Sequence, residues 1–322
     1  MDLSGMTLTG GFTFVKPPPL QATAGWWTGG SPDLGIIRMT FATDTVAPSY
    51  RSSLVYNNAW AGSSFTFDYG WLAGGLGAGG GGGTVVQRLT YATDTAGMST
   101  RGPLQISTYS LAGTGNNTNG WFGGGRNLGG GYLPISSMER ITYATDSALA
   151  SVRGPLSSAR GALAATGTTT YGWFGGGTLS GYIITTTINR LTYATDTATA
   201  PARGTLSSST YGLAASTDSS TYGWFGGGVD GAPAYAKTSN VQRLTFATDT
   251  NTASVRGPLT GVAGRLAATA SNTYGWFGGG WTGPANLSTV NRIDYANDTA
   301  TASARAPLSS ATYTLSGLSG VA

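Results

Sequence analysis

Along the chain, short runs rich in Thr, Tyr, Val, Leu and Ile alternate with clusters of Gly, Asp, Ser and Pro. Runs of this kind, bounded by turn residues, predict β-strands. No run places apolar residues at helical spacing over eleven positions, so almost no helix is expected. The runs also recur. "YGWFGGG" begins at Tyr171, Tyr222 and Tyr274, with "NGWFGGG" at Asn119, "YGWLAGG" at Tyr69 and "AGWWTGG" at Ala24. The tryptophans that anchor this phrase are Trp26, Trp71, Trp121, Trp173, Trp224 and Trp276, at steps of 45, 50, 52, 51 and 52 residues. A second phrase, "RLTYATDT" or a close variant, follows from Arg38, Arg88, Arg140, Arg190, Arg243 and Arg292. A third, "RGPL" in its commonest form, follows at Arg51, Arg101, Arg153, Arg203, Arg256 and Arg305.

In one repeat the order reads "GALAATG", "YGWFGGG", "INRLTYATD" and then a strand of the "ASVRGPL" type. Four short strands at a period near 50 residues is the signature of a propeller blade. The last copy of the first-strand phrase, from Leu308, has no Trp strand after it, and the first Trp strand has only "KPPPLQATA" before it. Three prolines cannot donate ladder bonds, so that stretch makes a poor inner strand. The C-terminal strand is therefore expected to pair with the strand of Trp26. This predicts an all-β, six-bladed β-propeller with four antiparallel strands per blade, closed by the C-terminal strand. Residues 1–20 are expected to form an N-terminal arm and residues 21–322 the propeller.

Composition narrows the chemistry. The 322 residues include no His and no Cys, which removes the usual ligands for copper, iron–sulfur and most zinc sites. Ser–His–Asp and Cys–His catalysis are excluded on the same ground. Nine Trp, ten Phe and sixteen Tyr argue against disorder despite 53 glycines. The opening "MDLSGMTLTGG" lacks a basic region followed by an apolar run, so no secretory signal is expected, and no apolar stretch is long enough to predict a membrane span.

The phrases admit structural and chemical readings. Trp and Phe in "YGWFGGG" alternate faces of a strand, which suits packing between blades; the rival reading is a stacking surface for sugars. Asp44, Asp94, Asp146, Asp196, Asp249 and Asp298 end the third strand, where Asp commonly bonds its own turn. The rival is a ring of calcium ligands, but calcium takes six to eight oxygens and most repeats bring a single carboxylate. Glycoside hydrolysis needs paired acids, and the chain has one glutamate, Glu139. The pI near 9.3 invites a nucleic-acid reading. Twelve repeat arginines against six repeat aspartates leave +6 in the framework, and the remaining charges leave −2. The positive charge is thus spread around a ring, and nucleic acid is not expected as a partner. The repeat arginines are expected to bond carbonyls or the aspartates between blades. No cofactor and no metal is expected.

With a Gly-Gly pair (Gly175, Gly176), a third-strand aromatic (Tyr193) and a following Arg (Arg203), the repeat resembles the kelch repeat. It departs in lacking the fourth-strand Trp; Val152 or Ala202 stands near that place. Phrases such as "NRIDYANDTATASARAPLSS" and "YGWFGGG" are also similar to repeats in virion proteins of tailed phages, especially those of cyanobacteria. That resemblance implies a non-enzymatic structural protein of the virion, in a tail, fibre or capsid appendage, present in multiple copies and contacting other virion proteins. The alternative is a carbohydrate- or host-receptor-binding propeller.

Variation concentrates in the connection between the second and third strands. Four of these loops carry an aromatic: Tyr132, Tyr182, Tyr235 and Trp281. Loops on a rigid scaffold carry function, and aromatic tips suit protein or sugar contacts. These four, with Arg126 and Lys237 beside them, are the predicted partner contacts.

Overall fold

The computed structural model describes residues 21–31, 35–56, 58–77, 83–231 and 235–320; the expected arm lies outside them. Six four-stranded antiparallel sheets form a six-bladed propeller. Blade 1 is built from both ends of the chain: Tyr313–Gly320 is its innermost strand, followed outward by Ala24–Ser31, Gly35–Thr40 and Ser49–Ser53. Blades 2 to 6 follow in chain order, with innermost strands starting at Gly62, Ala112, Ala164, Ala214 and Ala267. Among the described residues helix is confined to short 3₁₀ turns, most of them at the "YATD" phrase. The closing ladder runs from Ala24 opposite Gly320 to Ser31 opposite Tyr313. Its two strands have eight residues each, against four in the innermost strands of the other blades, so the joint that removes the open edge is also the longest pairing.

Strand register explains the repeat. In every blade the second-strand Trp stands opposite the third-strand Arg, as Trp173 does opposite Arg190. Cross-strand partners share a face. The fourth-strand Arg joins them on that face, which meets the next blade. There the "YATD" phrase receives all three. Its aromatic ring stacks on the Trp at 3.8–4.1 Å, and its Asp accepts the indole N–H at 2.8–2.9 Å. The same carboxylate takes both arginines of the preceding blade, for example Arg190 and Arg203 on Asp249 at 3.1 Å each. The pattern closes cyclically, with Arg292, Arg305 and Trp276 of blade 6 on Asp44 of blade 1.

The expected turn-forming role of these carboxylates therefore gives way to a clamp between blades. The turn is held by backbone, as where Ala198 N–H donates to Thr195 O at 3.1 Å. Each carboxylate accepts hydrogen bonds from the indole and at least one arginine and lies within 3.5 Å of the second arginine, so it is already committed between blades. The six anchoring tryptophans are buried, so they cannot stack sugars. The residue after each Trp faces the other way, into the preceding seam; Phe174 packs with Trp121 and Leu191 between blades 3 and 4. Each of the six apolar clusters fills one seam, so the protein has six small cores instead of one. Gly172 is required by this close approach: a Cβ there would meet Thr114 Cγ2 at 2.5 Å. Gly176 and Gly177 turn the chain at φ +69° and +100°, backbone that other residues adopt at a cost.

Candidate functional site: the loop face and the pore mouth

Antiparallel order puts the loops after strands two and four on one face of the disc. In blades 2 to 6 the inter-blade linker pairs with the second-to-third-strand loop of the blade it enters. Thr108–Tyr109 pairs with Arg126–Asn127, Thr210–Tyr211 with Val229–Asp230, and Gly264 with Trp281. This pairing braces the variable loops against the scaffold.

The predicted contact residues all lie on this face, in two groups. In blades 3 and 4, Arg126 donates to the Tyr132 carbonyl at 3.2 Å and to Thr178 Oγ1 at 2.8 Å, and its guanidinium lies 5.0 Å from the Tyr182 ring centre. Tyr109 meets Tyr132 edge to face at 6.1 Å. Partial burial raises the Tyr109 hydroxyl above its usual range, with Arg126 pulling the other way. In blades 5 and 6, Lys237 Nζ lies 4.2 Å from the Trp281 ring centre. Among the described residues, Tyr235 makes no ring contact with either group. Tyr182 is 70% exposed, Tyr132 54% and Tyr235 45%, while Trp281 is half-buried. All three tyrosines adopt left-handed backbone, at φ 62°, 60° and 46° for Tyr132, Tyr182 and Tyr235. Glycine is free to take that conformation; a bulky residue there is strained by about 1 kcal/mol or more.

A second feature of the face is not visible in the sequence pattern. At the mouth of the central channel one residue per blade takes positive φ: Trp60, Ser110, Ala162, Gly212, Arg265 and Thr314. Each donates its backbone N–H to the carbonyl of the previous member at 2.6–3.1 Å, and Trp60 donates to Thr314, so the bonds form a closed ring. Four members are small. Trp60 and Arg265 are large, and they flank Thr314. The Arg265 guanidinium lies 4.9 Å from the Trp60 ring centre, 4.8 Å from Trp281 and 5.9 Å from Tyr313. Arg265 thus adds a third cation to a face where only Arg126 and Lys237 were expected. The cavity beneath the ring is about 120 Å³.

The opposite mouth is wider, about 400 Å³, and lined by the hairpin turns between first and second strands. Phe65 and Phe67 of blade 2 are partly exposed there, and the chain enters its first strand at this mouth, where Ala22 lies.

Two further ionisable groups, Glu139 and Arg160, are structural. Glu139 accepts backbone N–H bonds from Gln105 and Ile106 of the linker into its blade, at 2.6 and 3.0 Å. Burial raises its carboxyl above the usual range, and those two bonds pull it back down. Arg160 is fully buried and donates to Thr187 O, Phe174 O and Asn189 Oδ1; burial pushes it down to about 10. Among the described residues no group of three acidic side chains is placed to hold a metal ion, and no helix is long and apolar enough to cross a membrane.

No protein-family model matches the sequence, and no curated protein matches it. In fold the chain is similar to YjhT, whose solved structure aligns with a TM-score of 0.70 at 12% identity, over 89% of this chain and 98% of that one. At that identity the likeness speaks for the propeller alone.

Proposed function

We propose that this propeller is a non-enzymatic interaction disc whose loop face contacts a protein partner. One observation carries the reading: Tyr132, Tyr182 and Tyr235 are exposed at loop tips in backbone that favours glycine. A strained and largely exposed aromatic whose contacts inside the fold are confined to its loop neighbours, Tyr132 with Tyr109 and Tyr182 with Arg126, suits contact with a partner. The rest of the repeat supports the same division of labour. Its tryptophans, aspartates and arginines are used between blades, and the lone glutamate is bonded to backbone. That pattern favours an interaction module over an enzyme.

The identity of the partner rests on the phrase resemblance. It makes the protein a kelch-like repeat component of a tailed-phage virion, located in the particle in several copies and touching other virion proteins. Mass spectrometry of purified particles tests this directly: stoichiometric recovery is expected, and absence from particles of a phage that encodes the chain overturns it. A second reading, attachment to a host glycan or receptor, draws on the 70% exposure of Tyr182 beside Arg126. Binding on a glycan array that Tyr182→Ala abolishes would favour it over the protein partner.

A further inference from the structure

We infer that the pore mouth on the loop face is an anchor pocket for a single acidic side chain of the partner protein, received by Arg265. The inference rests on the reading of this face as the partner surface and specifies its chemistry.

The starting point is how the cations of the chain are used. Each of the twelve repeat arginines pairs with an aspartate. Arg126 and Arg160 bond carbonyl, hydroxyl or amide oxygens. Among the described residues the Arg265 side chain has no hydrogen-bond or ion-pair partner; its neighbours are aromatic rings. A guanidinium stacked between rings has its faces covered and its N–H edge free. That edge is the part that receives a carboxylate in a two-pronged bond. The flanking rings and Arg265 are half-buried, so such a bond is partly shielded from water and stronger than one at an open surface.

The ring of backbone bonds decides what else the mouth offers. Six N–H groups that could have faced a ligand are spent on one another. Recognition therefore falls to side chains, and four of the six ring positions carry small ones. A sugar needs several convergent donors and acceptors; Ala162 and Gly212 supply none, and the Thr314 hydroxyl donates to the Tyr313 carbonyl. Size points the same way. Pockets for small molecules run to roughly 300–1,000 Å³. A cavity of about 120 Å³ holds the head of one side chain and little more. Lys237, against the Trp281 ring at 4.2 Å, adds a second positive charge to this side of the mouth. An aspartate or glutamate, with an apolar neighbour resting on Trp60 or Tyr313, satisfies all of these features.

The test uses the unaltered chain first. A capped Gly-Phe-Glu-Gly peptide and its Gln counterpart are titrated while the indole N–H signals of Trp60 and Trp281 are followed by NMR. The Glu peptide should shift both signals saturably and bind at least about tenfold more tightly than the Gln peptide, a difference near 1.4 kcal/mol. Arg265→Gln, which keeps much of the length and hydrogen bonding of the side chain without its charge, should melt as the parent does and abolish the preference. Equal responses to the two peptides, no response to either, or a preference that survives Arg265→Gln would overturn the inference. Tyr132→Ala and Tyr182→Ala, on blades 3 and 4 and away from Arg265, test the face independently. If they block incorporation into particles while Arg265→Gln does not, only the anchor falls; if none of the three does, both readings fall.

Discussion

Trp173 of blade 4 and Asp249 of blade 5 lie 76 residues apart and are joined by an indole N–H···carboxylate bond of 2.9 Å at the centre of their seam. Arg190 and Arg203 share that carboxylate, and Phe246 stacks on the indole at 4.1 Å. Asp249→Ala would leave three donors without their acceptor, two of them charged and partly solvated, and is expected to cost about 3–4 kcal/mol. Trp173→Ala is expected to cost about 3–5 kcal/mol, the range for large aromatic-to-Ala changes in a core. Because the two residues are bonded, Trp173→Phe combined with Asp249→Ala should cost about 1 kcal/mol less than those two changes made separately. Urea unfolding of the parent and these variants checks this. An Asp249→Ala cost below about 0.5 kcal/mol would contradict the clamp.

The clamp marks a boundary of what the sequence reveals. Four phrases repeated around six tryptophans suffice to read the strand count and the blade number, and the unmatched last copy from Leu308 suffices to read closure by the C-terminal strand. Twelve repeat arginines against six repeat aspartates make the aspartates expected partners between blades, with backbone carbonyls as the alternative. Neither shows that Asp249 receives Trp173, because the partners sit in different copies of the repeat. Within one copy, an Asp after a strand belongs to its turn. The pore mouth is hidden for a related reason. Trp60 and Arg265 occupy the position held by Ser110, Ala162, Gly212 and Thr314, and only the closed ring of backbone bonds makes that position a site. The aligned linkers do hold a signal, a large residue where other copies keep a small one. By contrast, the exposed tyrosines are legible because loops that vary on an invariant repeat stand out in one sequence.

Glu139 offers a pH test with a definite sign. Gln87 and Gln242 hold the corresponding place in blades 2 and 5 and accept the same kind of linker N–H bonds. Burial raises the folded-state pKa of Glu139 above its unfolded value. The proton is then favoured in the folded state, so this residue's contribution to stability is fully present below the unfolded pKa and is lost as pH rises through the folded one. Glu139→Gln should accordingly be at least as stable as the parent at pH 7, and its advantage should shrink on acidification through the folded pKa. Parallel melting curves from pH 7 to pH 4 check this; a Gln variant less stable at pH 7 than at pH 4, relative to the parent, would contradict it.

Closure predicts the effect of truncation. Deleting residues 309–322 removes the whole innermost strand of blade 1, and with it Leu315 and Leu318 from two seam clusters. The edge of Ala24–Ser31 would be left unpaired. Aggregation, or loss of the cooperative melt at a temperature well below the parent's, is expected. Size-exclusion chromatography and calorimetry of the truncated chain measure it, and a monomer with the parental melt would refute closure by this strand.

The most direct measurement of the interaction-disc account replaces Tyr132, Tyr182 and Tyr235 together by glycine. Glycine relaxes the left-handed backbone at each site, so the account predicts a melting temperature equal to or above the parent's, with a gain of up to about 1 kcal/mol per site. It also predicts that the variant no longer enters particles, because the aromatic tips that would meet the partner are gone. A fold as stable as the parent's that fails to incorporate is the expected result. Normal incorporation by the triple-glycine chain would contradict it and move the partner surface off the loop tips.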